Sequence, residues 1–121
     1  MSLMTIETDV ALPGMHAIGS VSNLGSEVLE GDVQAYALGT HGSPGDAVTA
    51  GYFAVTPGSF RMVYPFHEQA SVVQGSVTLT DVASGTSRHY RVGDSWFVTK
   101  GTEVIWKVEG GVFMKHYLAV A

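Results

Sequence analysis

Residues 58–82 read GSFRMVYPFHEQASVVQGSVTLTDV, and this stretch decides the fold. Ser59–Tyr64, Ala70–Val73 and Ser76–Val82 are rich in Val, Thr, Tyr and Phe, which suit a pleated, half-buried surface. Pro65 and the pair Gln74-Gly75 separate them. Val77-Thr78-Leu79-Thr80 alternates apolar and polar, the period of a strand with one face buried. Working outward, similar runs occur at Gly51–Thr56, Ser87–Val92, Ser95–Thr99, Val104–Val108 and Val112–Val120. Pro57-Gly58, Ser84-Gly85, Gly93-Asp94, Lys100-Gly101 and Gly110-Gly111 punctuate them. Turn signals about every 8–12 residues predict an all-β sandwich or barrel. No window repeats apolar residues at helical spacing, so parallel strands joined by helices are excluded.

Residues 1–50 have a more mixed texture. Ile18 to Val33 carries scattered apolar residues, and Glu30-Gly31-Asp32 breaks it into short extended pieces. Gly39 to Asp46 reads as a loop by composition. The expected organisation is one domain. Residues 1–50 form an extended N-terminal segment with first strands packed on a barrel, and 51–121 form the barrel core. Met1-Ser2-Leu3 ahead of Met4 reads as a leader outside the fold.

Composition narrows the function classes. The 121 residues contain no cysteine, which excludes a disulfide framework, a thiolate zinc site and a cysteine nucleophile. Charged residues are 14% and hydrophobic ones 45%, the reverse of a disordered chain. The formal charge of −5 and the absence of clustered Lys and Arg argue against nucleic acid as a partner. No stretch approaches the ~18 apolar residues of a membrane span, and no signal-peptide pattern opens the chain. A cytoplasmic location without a membrane partner is therefore expected.

Two glycine-anchored strings carry a family resemblance. The first runs from Gly58 through Tyr64, His67 and Glu68 to Gly75, and the second from Gly93-Asp94 through Gly101 and Val104 to Trp106. Together they resemble the two motifs of the cupin superfamily, a small jelly-roll β-barrel also called a double-stranded β-helix. Glu68 lies seven residues before Gly75, as in the first motif; Thr99 replaces the proline of the second. Pro57-Gly58, Tyr64, Gly93-Asp94, Trp106 and Lys115-His116-Tyr117 look like the branch of ureidoglycine aminohydrolase-like and EutQ-like domains. The resemblance spans about Gly31 to the C-terminus.

In metal-binding cupins, three histidines and a glutamate hold a divalent metal. Counting from Glu68 puts the first histidine pair at Met62 and Tyr64, or at Arg61 and Val63, and counting from Gly93 puts the third at Val104. None of these is histidine, so Glu68 alone matches and no cofactor is expected. His67 is the one histidine beside Glu68, but neighbours on a strand face opposite ways, and they converge only through an irregular turn at Pro65-Phe66.

The candidate interior residues follow from strand parity. Glu68 reads as a general acid or base, or as a structural carboxylate paired with Arg61 or a tyrosine hydroxyl. Tyr64, Met62, Val104 and Trp106 read as lining a ligand cavity or filling the core. Arg61 reads as a clamp for a substrate carboxylate, or as exposed, since Phe60, Met62 and Tyr64 alternate opposite to it. By parity with Val112 and Met114, His116 faces inward and would pair with Glu68 as a second acid–base group. Lys115 and Tyr117 then fall on the outer parity. His41 and His89 read as solvated.

These readings predict a small protein that binds or acts on a small polar metabolite inside the barrel, without the usual metal site. In the enzyme form, Glu68 is the acid or base, Tyr64 and Arg61 orient the substrate, and Trp106 is the apolar wall. The alternative is a non-catalytic ligand-sensing or accessory module. A metal-dependent aminohydrolase- or lyase-like enzyme is a further alternative. A homodimer is expected through the Val112–Val120 strand and the N-terminal segment.

Overall fold

The computed structural model describes residues 2–121; Met1, part of the leader proposed above, lies outside the described residues. The strands are β1 (His16–Ser20), β2 (Glu27–Glu30), β3 (Gln34–His41), β4 (Val48–Val55), β5 (Gly58–Val63) and β6 (His67–Gln74). They continue as β7 (Ser76–Asp81), β8 (Thr86–Arg91), β9 (Ser95–Val98), β10 (Glu103–Val108) and β11 (Phe113–Val120). One six-stranded sheet has the order β1-β3-β4-β11-β6-β9, and one five-stranded sheet the order β2-β5-β10-β7-β8. All the strand pairings among the described residues are antiparallel.

The expected all-β jelly roll is present, as two facing sheets rather than a barrel closed by hydrogen bonds. Each sheet keeps two free edges: β1 and β9 on one, β2 and β8 on the other. All eight strands expected between residues 51 and 120 form. One difference lies upstream: Gly39-Thr40-His41 belongs to β3, the third of three strands before Val48, rather than to a loop. Pairing with β4 overrides the weak local preference of these residues. The register of β3 shifts between Gly39 and His41, as a bulge does where composition looks loop-like.

Aromatic rings fill the space between the sheets. Trp106 of β10 stacks on Phe60 of β5 at 5.1 Å and meets Phe113 of β11 edge-on at 5.7 Å. Trp96 of β9 meets Trp106 edge-on at 6.1 Å. Such pairs contribute about 0.5–1.5 kcal/mol each beyond the area they bury. A second, smaller core lies on the outer face of the six-stranded sheet. There Val10, Leu12 and Met15 of the N-terminal segment cover Tyr52, Ala54 and Met114. The Tyr52 hydroxyl donates to the Glu7 carbonyl at 2.7 Å and ties that segment down.

Gly75 makes the turn from β6 to β7 with φ +69°, and a Cβ there would collide with the Val112 carbonyl. Neither the backbone angle nor the contact tolerates a side chain. Gly75→Ala is expected to lose about 1–3 kcal/mol of stability, the usual cost of a strained left-handed residue. Equilibrium urea unfolding of the two proteins side by side tests this; equal midpoints would disprove it.

Candidate functional site

The site begins at the end of β5. Phe60, Met62 and Tyr64 face the interior, while Arg61 faces solvent with its side chain 43% exposed and 3.9 Å from Glu103. Arg61 therefore does not reach the interior, and the carboxylate-clamp expectation is corrected by the strand's own alternation. Tyr64 is locked by its backbone: its N–H donates to the Thr102 carbonyl and its carbonyl accepts from Gly101. The chain then turns through Pro65-Phe66 into β6, which returns Glu68 to the interior four residues after Tyr64.

Glu68 is buried, with its side chain 2% exposed, and all of its bonding is to protein. Lys115 Nζ donates to Oε1 at 2.7 Å and to Oε2 at 2.8 Å. The Tyr64 hydroxyl donates to Oε2 at 2.8 Å, and Trp96 Nε1 donates to the same oxygen at 3.4 Å. Lys115 comes from the middle of β11, where it pairs with Phe53 and Val72, whereas Glu68 pairs with Ala119. The two are four residues apart in register, and the long lysine side chain spans the gap.

Five rings surround the ammonium. Its nitrogen lies 4.6 Å from the centre of Trp106, 5.4 Å from Phe53, 5.5 Å from Trp96 and 5.7 Å from both Tyr64 and Tyr117. Ring faces attract a cation most strongly where water is excluded. Burial still lowers the affinity of Lys115 for its proton below the ordinary lysine value, and the Glu68 charge only partly offsets this. Burial, then the Glu68 charge, holds the Tyr64 hydroxyl well above its ordinary value, so it stays a neutral donor. Tyr117 is raised for the same two reasons.

Two cavities flank this network. One of about 360 Å³ is lined by Ile18, Phe53, Phe60, Met62 and Trp106, with Ser26, Tyr64, Glu68, Lys115 and Tyr117 among its polar groups. The other, about 420 Å³, opens between the β8 and β9 edges past Arg88, Asp81 and Phe97, and Val104 lines it. Tyr64 borders both. The smaller cavity holds the buried charges and is the candidate site. Trp106 Nε1 is the one buried side-chain donor without an acceptor among the described residues.

His116 is not in this site. It lies on the outer face of its sheet, 2.9 Å from the Thr40 hydroxyl and edge-on to Tyr52 at 4.9 Å. Met114 is buried in the outer core, so counting parity from it assigns His116 to the wrong side. Phe113, Lys115 and Tyr117 are the inward residues. His67 likewise faces away from Glu68, and its Nδ1 accepts from the Lys100 N–H at 3.1 Å. His41 and His89 are exposed.

The donor set does not fit a divalent metal. Met62, Tyr64 and Val104 offer no imidazole, and a lysine ammonium occupies both oxygens of Glu68. No cluster of three or more metal-ligating side chains occurs among the described residues.

Residues 42–117 match the EutQ-like cupin domain. The chain belongs to that family. Among solved structures, this cupin resembles the EutQ protein of Clostridium difficile, with a TM-score of 0.62 and 16% identity over 73% of this chain and 68% of that one. It also resembles a protein of unknown function from Pseudomonas syringae pv. tomato, with a TM-score of 0.77 and 17% identity. That match covers 95% of this chain and 46% of the other. The polyketide cyclase RemF from Streptomyces resistomycificus aligns with a TM-score of 0.67 and 17% identity, over 98% and 80% of the two chains. At these identities the likeness is one of fold. No curated protein matches the cupin in sequence. No helix among the described residues is long and apolar enough to cross a membrane.

Two consequences are measurable. Glu68→Ala leaves a buried ammonium without a counter-charge, which is expected to cost about 3–5 kcal/mol. Adding Lys115→Met removes the stranded charge and should recover most of that loss; a double variant no more stable than Glu68→Ala would refute the pairing. The second concerns pH. Burial lowers His116 below its ordinary value of 6.5, so the unfolded chain takes up the proton first. Its contribution is present above about pH 6.5 and is lost as pH falls below that. The fall in melting temperature between pH 7 and pH 5 should be shallower in His116→Asn than in the parent, and identical slopes would exclude the effect.

Proposed function

We propose that this cupin domain binds a small, uncharged molecule in the 360 Å³ cavity, with Lys115, Glu68 and Tyr64 as its polar anchor in place of a metal. The observation that carries the proposal is the ion pair at the cavity wall. Lys115 and Glu68 cancel, so a charged ligand would bring an unbalanced charge into an apolar space. The aromatic and aliphatic walls suit an apolar body, and cavities of a few hundred Å³ take ligands of this size. The ligand is thus polar at one end only, a narrower class than a generally polar metabolite.

The arrangement of protons favours binding over acid–base catalysis by Glu68. Its oxygens already accept four hydrogen bonds, so it does not serve as a free base in this state. The Tyr64 proton is committed to it as well. This arrangement supports a role as a ligand-sensing or accessory module, and the proton nearest to Glu68 for any catalysis is one held by Lys115.

Thermal melting in the presence of benzyl alcohol, benzamide, benzoate and benzylamine tests the charge rule. The neutral pair should raise the melting temperature, with charged members at least about tenfold weaker. Benzoate or benzylamine binding as tightly as the neutral pair would overturn the reading, as would no stabilisation by any member.

A further inference from the structure

Lys115 has chemistry that a purely structural cation would not need. It is one of three lysines in the chain, and the other two, Lys100 and Lys107, are exposed. Its side chain is 4% exposed, yet it lines the cavity rather than a packed seam. A carboxylate lies within 2.8 Å of its nitrogen, and a second proton-bearing group, the Tyr64 hydroxyl, lies on that carboxylate. Burial among these rings excludes water and lowers the proton affinity of Lys115, although the ring faces themselves attract the ammonium. A desolvated amine beside a proton acceptor, open to an apolar cavity, is an activated nucleophile for carbonyl carbon. Lysine is the cation suited to this, because a buried arginine keeps its proton.

We infer that the ligand of this cavity is an aldehyde or ketone, and that Lys115 captures it as a Schiff base with Glu68 as the proton carrier. The inference rests on the binding reading above and names the ligand class for the same cavity. The steps balance. The Lys115 ammonium passes one proton to Glu68, and the freed amine attacks the carbonyl carbon. The nitrogen–carbon bond forms as the carbonyl π bond moves to oxygen. That oxygen takes up a second proton from the nitrogen, giving a neutral carbinolamine. Glu68 then returns its proton to the hydroxyl, which leaves as water, and the nitrogen lone pair closes the iminium. The products are a protonated imine on Lys115, one water and the regenerated Glu68 carboxylate. No oxidant or metal is required. The positive charge is on the same nitrogen before and after the reaction, so the ion pair with Glu68 is restored once capture is complete. Tyr64 holds the carboxylate in place through its own hydrogen bond to Oε2.

The test uses the wild-type chain with benzaldehyde and sodium cyanoborohydride at neutral pH, followed by digestion and mass mapping. Reduction of the imine leaves a benzyl group at each captured amine. Lys115 should be labelled about tenfold more than Lys100 or Lys107, because burial enlarges its share of free amine. In urea that preference should vanish, and in Glu68→Gln the labelling of Lys115 should reach half its maximum at a lower pH than in the parent, because the charge that favours the ammonium is gone. Labelling confined to Lys100, Lys107 and the chain terminus overturns the inference. If benzyl alcohol still raises the melting temperature in that case, the cavity binds but does not capture. If it does not, the binding reading falls with it.

Discussion

The interior is organised around one buried charge pair. Taking Lys115 and Glu68 out of water costs several kcal/mol per ion, which is recovered only with good geometry and further hydrogen bonds. Both conditions are met by residues drawn from across the fold. Lys115 is on β11, Glu68 on β6 and Trp96 on β9 of one sheet; Trp106 is on β10, and Tyr64 follows β5 of the other. The pair itself lies within one sheet, and the Tyr64 hydrogen bond and the Trp106 ring tie it to the facing sheet, to which no strand pairing joins it. The carboxylate that the family resemblance assigns to a metal is here neutralised by an ammonium of the same chain.

That substitution sets the chemistry of the cavity. A metal site presents a net positive charge and open coordination positions, which suits anionic or chelating ligands. A lysine–glutamate pair presents no net charge, and its hydrogen-bond acceptors are filled from within. What remains facing the cavity is the Lys115 nitrogen, together with the Trp106 donor that lacks an acceptor. The fold shared with EutQ and RemF leaves this choice open, since at 16–17% identity the sheets are kept and the interior groups are free to differ.

The strands were legible because turns and β-formers alternate at short range. Pro57-Gly58, Gln74-Gly75 and Gly93-Asp94 each mark a real reversal. The first strands were less so. β2 is largely exposed and carries two glutamates, and β3 ends in Gly-Thr-His, so neither has the apolar alternation that identifies a strand. In the site, Glu68 and Tyr64 were legible from the motif and from parity, and the possibility of a tyrosine hydroxyl on the carboxylate could be stated. Lys115 was not. At the start of β11 both faces are covered, the inner one by the opposite sheet and the outer one, at Met114, by Val10, Leu12 and Met15 of the N-terminal segment, while Leu118 and Val120 further along are exposed. Alternation marks the inward side only when the other side is wet. Met114 therefore looked like a core marker and drew His116 inward with it. The usable signal was the aromatic pair Phe113 and Tyr117 flanking Lys115 at alternate positions.

The amino-acid sequence by itself determined an all-β chain of short antiparallel strands, a motif carrying one carboxylate, and the lack of histidines to accompany it. These follow from local chemistry: turn residues, strand propensity and the identity of side chains at fixed spacing. Only the tertiary structure decided what that carboxylate does. Its partner stands 47 residues away, on a strand whose two faces look alike, and a segment at the other end of the chain covers one of them. Contacts of that range depend on which sheet lies over which, and no window of sequence contains that information.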